Sequence, residues 1–126
     1  ALKFKEVSYV HAEGMPSSEM KHGPIALVDY KVPSLFLMTE GFIPESVSNI
    51  QEIKSRKGLI IIITHDSIKE NLSSLANITF SCKDTGESYS QSLVLNVVLQ
   101  LLSYYIAVER GINPDRPRNL AKSVTV

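Results

Sequence analysis

The pattern of apolar and polar positions divides the chain into helices and strands that alternate. Residues 1 to about 12 contain neither Gly nor Pro and predict a helix, which Gly14 and Pro16 interrupt. Ser17-Ser18-Glu19-Met20-Lys21 predicts a short helical turn ended by His22-Gly23-Pro24, and the apolar run Val32 to Met38 predicts a strand. Ile43-Pro44-Glu45 opens the next helix, with Pro at an early position and an acid in the first turn; Lys54, Arg56 and Lys57 suit its end, and Gly58 stops it. Leu59-Ile60-Ile61-Ile62-Ile63-Thr64 is apolar or β-branched throughout, the mark of a strand buried on both faces of a parallel sheet. Asp66 reads as the N-cap of a short helix to about Leu75. Ile78 to Cys82 is a third strand. After the polar loop Lys83 to Glu87, a long helix runs from about Ser90 to Arg110 and is closed by Gly111.

This alternation predicts βαβ units: an α/β fold with a small open parallel sheet flanked by helices on both faces, a three-layer flavodoxin-like arrangement. A length of 126 residues fits a single domain, with the segment 113–126 as a tail. The last helix is apolar enough to raise the question of a membrane span. Asn96, Gln100 and Ser103, however, recur at spacings of four and three and draw a polar stripe along it, so it is read as a packed helix and no membrane is expected.

Composition narrows the partners. Thirteen basic and thirteen acidic side chains cancel, which argues against nucleic acid, whose phosphates call for a basic surface. A small anionic ligand needs only a few local donors. The single Cys82 sits in a strand, fits a reducing compartment, and reads as a buried, inert thiol. Lys3, Lys5 and Glu6 interrupt any apolar leader, so the sequons at Asn71 and Asn77 are read as chance matches and the location as cytoplasmic. The start at Ala1, with no initiator Met and no capping residue, is read as a chain cut within a helix.

No GxGxxG, P-loop, HExxH or paired CxxC occurs, so nucleotide and zinc sites lack their usual signatures. Four other spots could carry chemistry. Lys3 and Glu6, three residues apart, share a helix face with Val7 and Val10. The pair suits a surface ion pair, or equally a carboxylate on an apolar face whose pKa desolvation would raise toward that of a general base. His22 lies in a loop shaped by Gly23 and Pro24, either solvated or facing a substrate whose protons it moves. His65 follows a strand at the end of the sheet where ligands collect, and reads as a polar loop residue beside a helix cap. Lys122 sits in the terminal tail, either idle in solvent or on a lid whose amine forms an imine with a carbonyl substrate.

Taken together, Ala1-Leu2-Lys3-Phe4-Lys5-Glu6, Glu19-Met20-Lys21-His22-Gly23-Pro24 and Pro117-Arg118-Asn119-Leu120-Ala121-Lys122-Ser123-Val124-Thr125-Val126 resemble the end of the glucosamine-fructose-6-phosphate aminotransferase (isomerizing) family. The tail motif is the most specific; the other two recur less closely in other sugar isomerase (SIS) domains. The resemblance implies the second SIS lobe of an enzyme making glucosamine 6-phosphate from fructose 6-phosphate and glutamine-derived ammonia. It implies that His22 helps open the sugar ring and reaches the neighbouring subunit's site, in a homodimer formed through SIS domains. Lys122 would form a Schiff base with the open-chain ketose, Ala121 and Lys122 would contact the sugar, and Glu6 would shuttle a proton between C1 and C2 with Lys3 assisting. No metal, pyridoxal phosphate or other cofactor is implied. The tail 113–126 would close over the site. The glutaminase domain and the first SIS lobe, with its Ser/Thr-rich phosphate loop, are missing from this chain, so the 126 residues alone are expected to be inactive. A sibling SIS isomerase or deglycase would use similar carboxylates without this tail, and a non-catalytic SIS sensor would not need Lys122.

Overall fold

The computed structural model describes residues 1–120. They fall into two compact units: residues 15–95, and residues 1–14 together with the chain from Asn96 onward.

The larger unit is built on three parallel strands, β1 (Ser34–Leu37), β2 (Ile60–His65) and β3 (Ile78–Cys82), in the order β1-β2-β3. Leu35 pairs with Ile61 and Phe36 with Ile62, while Ile62 pairs with Thr79 and Ile63 with Phe80. Helix α2 (Ile43–Ser55) connects β1 to β2, and a 3-10 turn (Asp66–Ile68) running into helix α3 (Lys69–Ser73) connects β2 to β3. Both crossovers step the same way across the sheet, so their common right-handedness places α2 and α3 on one face. The core agrees: Phe36, Ile60 and Ile62 from alternate strand positions pack with Ile50 and Ile53 of α2 and with Ile68 and Leu72. The α/β fold with an open parallel sheet is thus as the alternation predicts. On the other face Ile63 is fully buried while Leu37, Ile78 and Phe80 remain about half exposed.

The isoleucine run becomes β2 because the central strand alone is paired on both sides, and every residue from Ile60 to His65 except Ile61 is buried. Thr64 is buried without loss because its hydroxyl donates to the carbonyl of Met38 at 3.0 Å. Asn77, in one of the two sequons, starts β3 by exchanging two hydrogen bonds with Ile60: its side-chain oxygen accepts from the Ile60 N–H at 2.8 Å, and its own N–H donates to the Ile60 carbonyl at 2.9 Å.

Helix α2 ends differently from the sequence reading. Lys57, not Gly58, takes the left-handed conformation (φ 61°), with its N–H on the Lys54 carbonyl and the Gly58 N–H on that of Ile53. Gly58 is required for space instead. A Cβ there would lie 2.5 Å from Ile53 Cγ2 and 2.6 Å from Val28 Cγ1. Asp66 likewise is not an N-cap: it lies inside the 3-10 turn, whose preceding residue is His65 and whose start has no side-chain cap. His65 closes β2 as a buried residue rather than a loop residue.

In the smaller unit, helix α1 (Leu2–Ser8) is shorter than its composition suggests. Tyr9 adopts the left-handed conformation (φ 54°), and the N–H groups of Tyr9 and Val10 both donate to the Phe4 carbonyl, ending the helix before Val10 can share its face. Helix α4 (Ser88–Glu109) starts in the larger unit and finishes here, closed by Gly111 (φ 68°) with the Ile112 N–H on the Ala107 carbonyl. It is long and apolar enough to cross a membrane by length and composition. The expected polar stripe is incomplete, since Ser103 is buried and donates back to the Leu99 carbonyl at 2.8 Å. The exposed side of the helix instead carries Tyr89, Leu93, Val97, Leu101, Tyr105 and Val108 at intervals of three and four, with Tyr104 next to Tyr105.

Candidate functional site

Glu6 stands in the last turn of α1, one turn after Lys3, and accepts a hydrogen bond from Lys3 Nζ at 2.8 Å through Oε2. The carboxylate keeps about a quarter of its surface exposed (26%) and the lysine about half (55%). Within this chain the ion-pair reading is therefore the observed geometry. The Lys3 contact engages Oε2 alone, and Glu6 Oε1 has no partner among the described residues.

Glu6 lines a cleft of about 390 Å³ formed by the end of α1, the residues after it, and Arg118-Asn119-Leu120 of the tail. Two contacts hold these strands of chain together. The Arg118 N–H donates to the Tyr9 hydroxyl at 2.6 Å, and the Arg118 guanidinium lies over the Tyr9 ring, 4.2 Å from its centroid. Arg118 belongs to the tail motif, but nothing in the sequence pairs it with Tyr9: the partners are 109 residues apart, and an aromatic residue is an uncommon choice for a left-handed helix end. Ala121 and Lys122, both expected at the site, lie outside the described residues, starting immediately after Leu120.

His22 is the last residue of a 3-10 turn (Ser17–His22) in the larger unit and is exposed. The turn is anchored from below by the buried Met20, and laterally by Lys21 Nζ 2.7 Å from Glu52 and by the Asn49 side-chain amide donating to Ser17 Oγ at 3.0 Å. Gly23 follows at φ 138°, a conformation that side-chain-bearing residues rarely adopt, and it releases the chain just after the imidazole. His22 is thus presented on a fixed turn rather than on a loose loop.

At the carboxyl ends of β2 and β3, His65, Cys82 and Asp84 cluster. Cys82 Sγ donates to the Thr64 carbonyl at 3.2 Å and lies 3.5 Å from His65 Nδ1. Burial, reinforced by the nearby Asp66 and Asp84 carboxylates, pushes the thiol pKa up, as an unreactive cysteine requires. Asp84 accepts from Ser67 Oγ (2.6 Å), the Gly86 N–H (2.8 Å) and Gln91 (2.8 Å), which hold its pKa down at about 2. These bonds tie the loop before α4 to the turn after β2 and account for the carboxylate. Among the described residues no group of three or more His, Cys, Asp or Glu is placed to hold a metal ion.

Comparison with known proteins accords with the geometry. The SIS domain family model matches residues 1–110. Glutamine–fructose-6-phosphate aminotransferase (isomerizing) from Bacteroides thetaiotaomicron is 50% identical over 129 residues, covering 100% of this chain and 20% of the relative. Its counterpart from Francisella tularensis is 43% identical over 127 residues, with 100% and 21% covered. The solved carboxy-terminal domain of glucosamine-fructose-6-phosphate aminotransferase from Francisella tularensis superposes with a TM-score of 0.81 at 35% identity, over 92% of this chain and 32% of that one. The chain spans about a fifth of the length of the curated relatives it matches.

Proposed function

We propose, from the premise that this chain belongs to the SIS domain family, that it is the carboxy-terminal isomerase lobe of an enzyme making glucosamine 6-phosphate from fructose 6-phosphate and glutamine-derived ammonia. The observation that carries this reading is the Glu6 cleft, whose far wall, Asn119-Leu120, runs directly into the Ala121-Lys122 sequence of the tail. A carboxylate in that cleft, with an amine two residues beyond Leu120 in the sequence, suits aldose–ketose chemistry, which needs a proton moved between adjacent carbons and no redox step.

In this reading His22 helps open the sugar ring, reaching the site of a neighbouring subunit from its exposed turn. The Lys122 amine condenses with the C2 carbonyl of the open-chain ketose, losing water, and Ala121 contacts the sugar beside it. Ammonia then takes the place of lysine at C2. Glu6 removes a proton from C1 and returns it to C2, with Lys3 holding the carboxylate in position at 2.8 Å. The tail 113–126 closes over the sugar.

The parent protein supplies what this chain lacks: a glutaminase domain as ammonia source and a first SIS lobe to hold the phosphate. The fivefold greater length of the relatives supports this. So does the exposed apolar side of α4, which is suited to cover by another lobe or by the second subunit of a dimer. The half-buried free thiol of Cys82 supports a cytoplasmic setting. Borohydride trapping of fructose 6-phosphate on the full-length protein tests the assignment. Sugar should be fixed covalently to the unaltered protein and not to Lys122→Ala; equal trapping on both would show the Schiff-base role to be wrong. The isolated 126 residues should make no glucosamine 6-phosphate.

A further inference from the structure

We infer that Tyr9 is a positioning residue that, through Arg118, fixes the tail against the helix carrying Glu6. The inference rests on the function proposed above. The Tyr9 hydroxyl accepts the Arg118 N–H at 2.6 Å and the Tyr9 ring carries the Arg118 guanidinium at 4.2 Å, so one side chain grips both the backbone and the charge of the same residue. Two contacts of different chemistry define an orientation that neither defines alone.

The backbone at Tyr9 points the same way. Its left-handed conformation (φ 54°) strains any residue with a Cβ, and a glycine would end α1 without that strain. What a tyrosine adds at this position is its ring and hydroxyl, and both are engaged by the tail. Tyr9 follows Glu6 by three residues, and Lys122 follows Arg118 by four, so at most roughly 14 Å of backbone separates the anchored residue from the lysine. Without the anchor Arg118-Asn119-Leu120 lose their fixed register with Glu6, and imine formation by the proposed lysine two residues further on slows.

The test uses the full-length protein and follows the initial rate of borohydride trapping of fructose 6-phosphate at saturating sugar, together with the melting temperature. Tyr9→Leu, which removes both contacts, should slow trapping by roughly tenfold, and Tyr9→Phe, which keeps the ring face, by about threefold. Arg118→Gln, in an exposed position, removes the guanidinium contact and keeps the backbone one, so it should slow trapping by about threefold, and Arg118→Lys should recover part of that loss. The melting temperature should stay unchanged throughout. Trapping at the unaltered rate in Tyr9→Leu and Arg118→Gln, while Lys122→Ala abolishes it, would overturn this inference and leave the proposed function standing. Trapping that persists in Lys122→Ala would instead remove the function on which it rests. A fall in rate that merely follows a fall in melting temperature would reduce Tyr9 to a structural role.

Discussion

Replacing Gly58 by Ala adds one methyl group where two others already stand. Ordinary carbon contacts lie at roughly 3.5–4.0 Å, whereas the new Cβ would meet Ile53 Cγ2 at 2.5 Å and Val28 Cγ1 at 2.6 Å. Neither can yield cheaply. Both methyls branch from Cβ, so each moves only by leaving its preferred χ1 well or by carrying the backbone with it. Ile53 is also 1% exposed and packed into the main core. Overpacking of this kind costs about 1–3 kcal/mol. Against it stands the loss of unfolded-chain freedom on exchanging Gly for Ala, which stabilises by about 0.4–1 kcal/mol. The net expectation is a loss of about 1–2 kcal/mol. In urea unfolding followed by circular dichroism, with a slope of about 2 kcal/mol per molar, the midpoint should fall by roughly 0.5–1 M. Val28→Ala removes one of the clashing methyls, so in that background the same substitution should cost less, a coupling that a double-mutant cycle reads directly. A Gly58→Ala protein with an unchanged or higher midpoint would refute the reasoning.

Three further outcomes follow from the same geometry. Lys57→Gly relieves a side-chain-bearing residue at φ 61° and should raise stability by about 0.5–1 kcal/mol, whereas Gly111→Ala should lower it by a similar amount; thermal unfolding compares the two. The Asp84 pKa is lowered from 3.8 to about 2 in the fold, so its contribution is fully present above the unfolded value and is lost as pH falls from about 4 toward 2. Asp84→Asn should flatten the acid limb of a stability–pH profile in that window, and an unaltered limb would contradict the assignment. Because the Cys82 pKa is raised, iodoacetamide should label it more slowly at neutral pH than it labels a free thiol in a peptide; equal rates would mean the thiolate is accessible.

Elements whose signal is local could be read from the sequence. The isoleucine run had to be a central strand, since no other place in an α/β unit accepts apolar residues on both faces, and Pro44 with Glu45 marked the start of α2. Helix ends were legible only where glycine supplies the left-handed residue, as at Gly111. Tyr9 and Lys57 do the same at the ends of α1 and α2 without any compositional signal, so composition predicts an α1 four residues longer than the helix that forms and assigns Gly58 a turn's role in place of a packing one. The site divides the same way. Glu6, Lys3 and His22 could be picked out by residue type and motif, whereas the grip of Tyr9 on Arg118 joins residues 109 apart and belongs to the fold alone.

Strand β2 also fixes how the larger unit comes apart. Its amides and carbonyls are engaged by a neighbour on either side, and Ile60, Ile62 and Ile63 are each at most 1% exposed. Exposing Ile60 or Ile62 to solvent therefore means parting both ladders and the α2–α3 layer at once. Amide exchange in β2 should thus proceed only through global unfolding, with β1 and β3 each able to fray outward from it. A destabilising change anywhere in this unit should then appear as faster exchange in the isoleucine strand, which makes that strand the natural gauge of the whole.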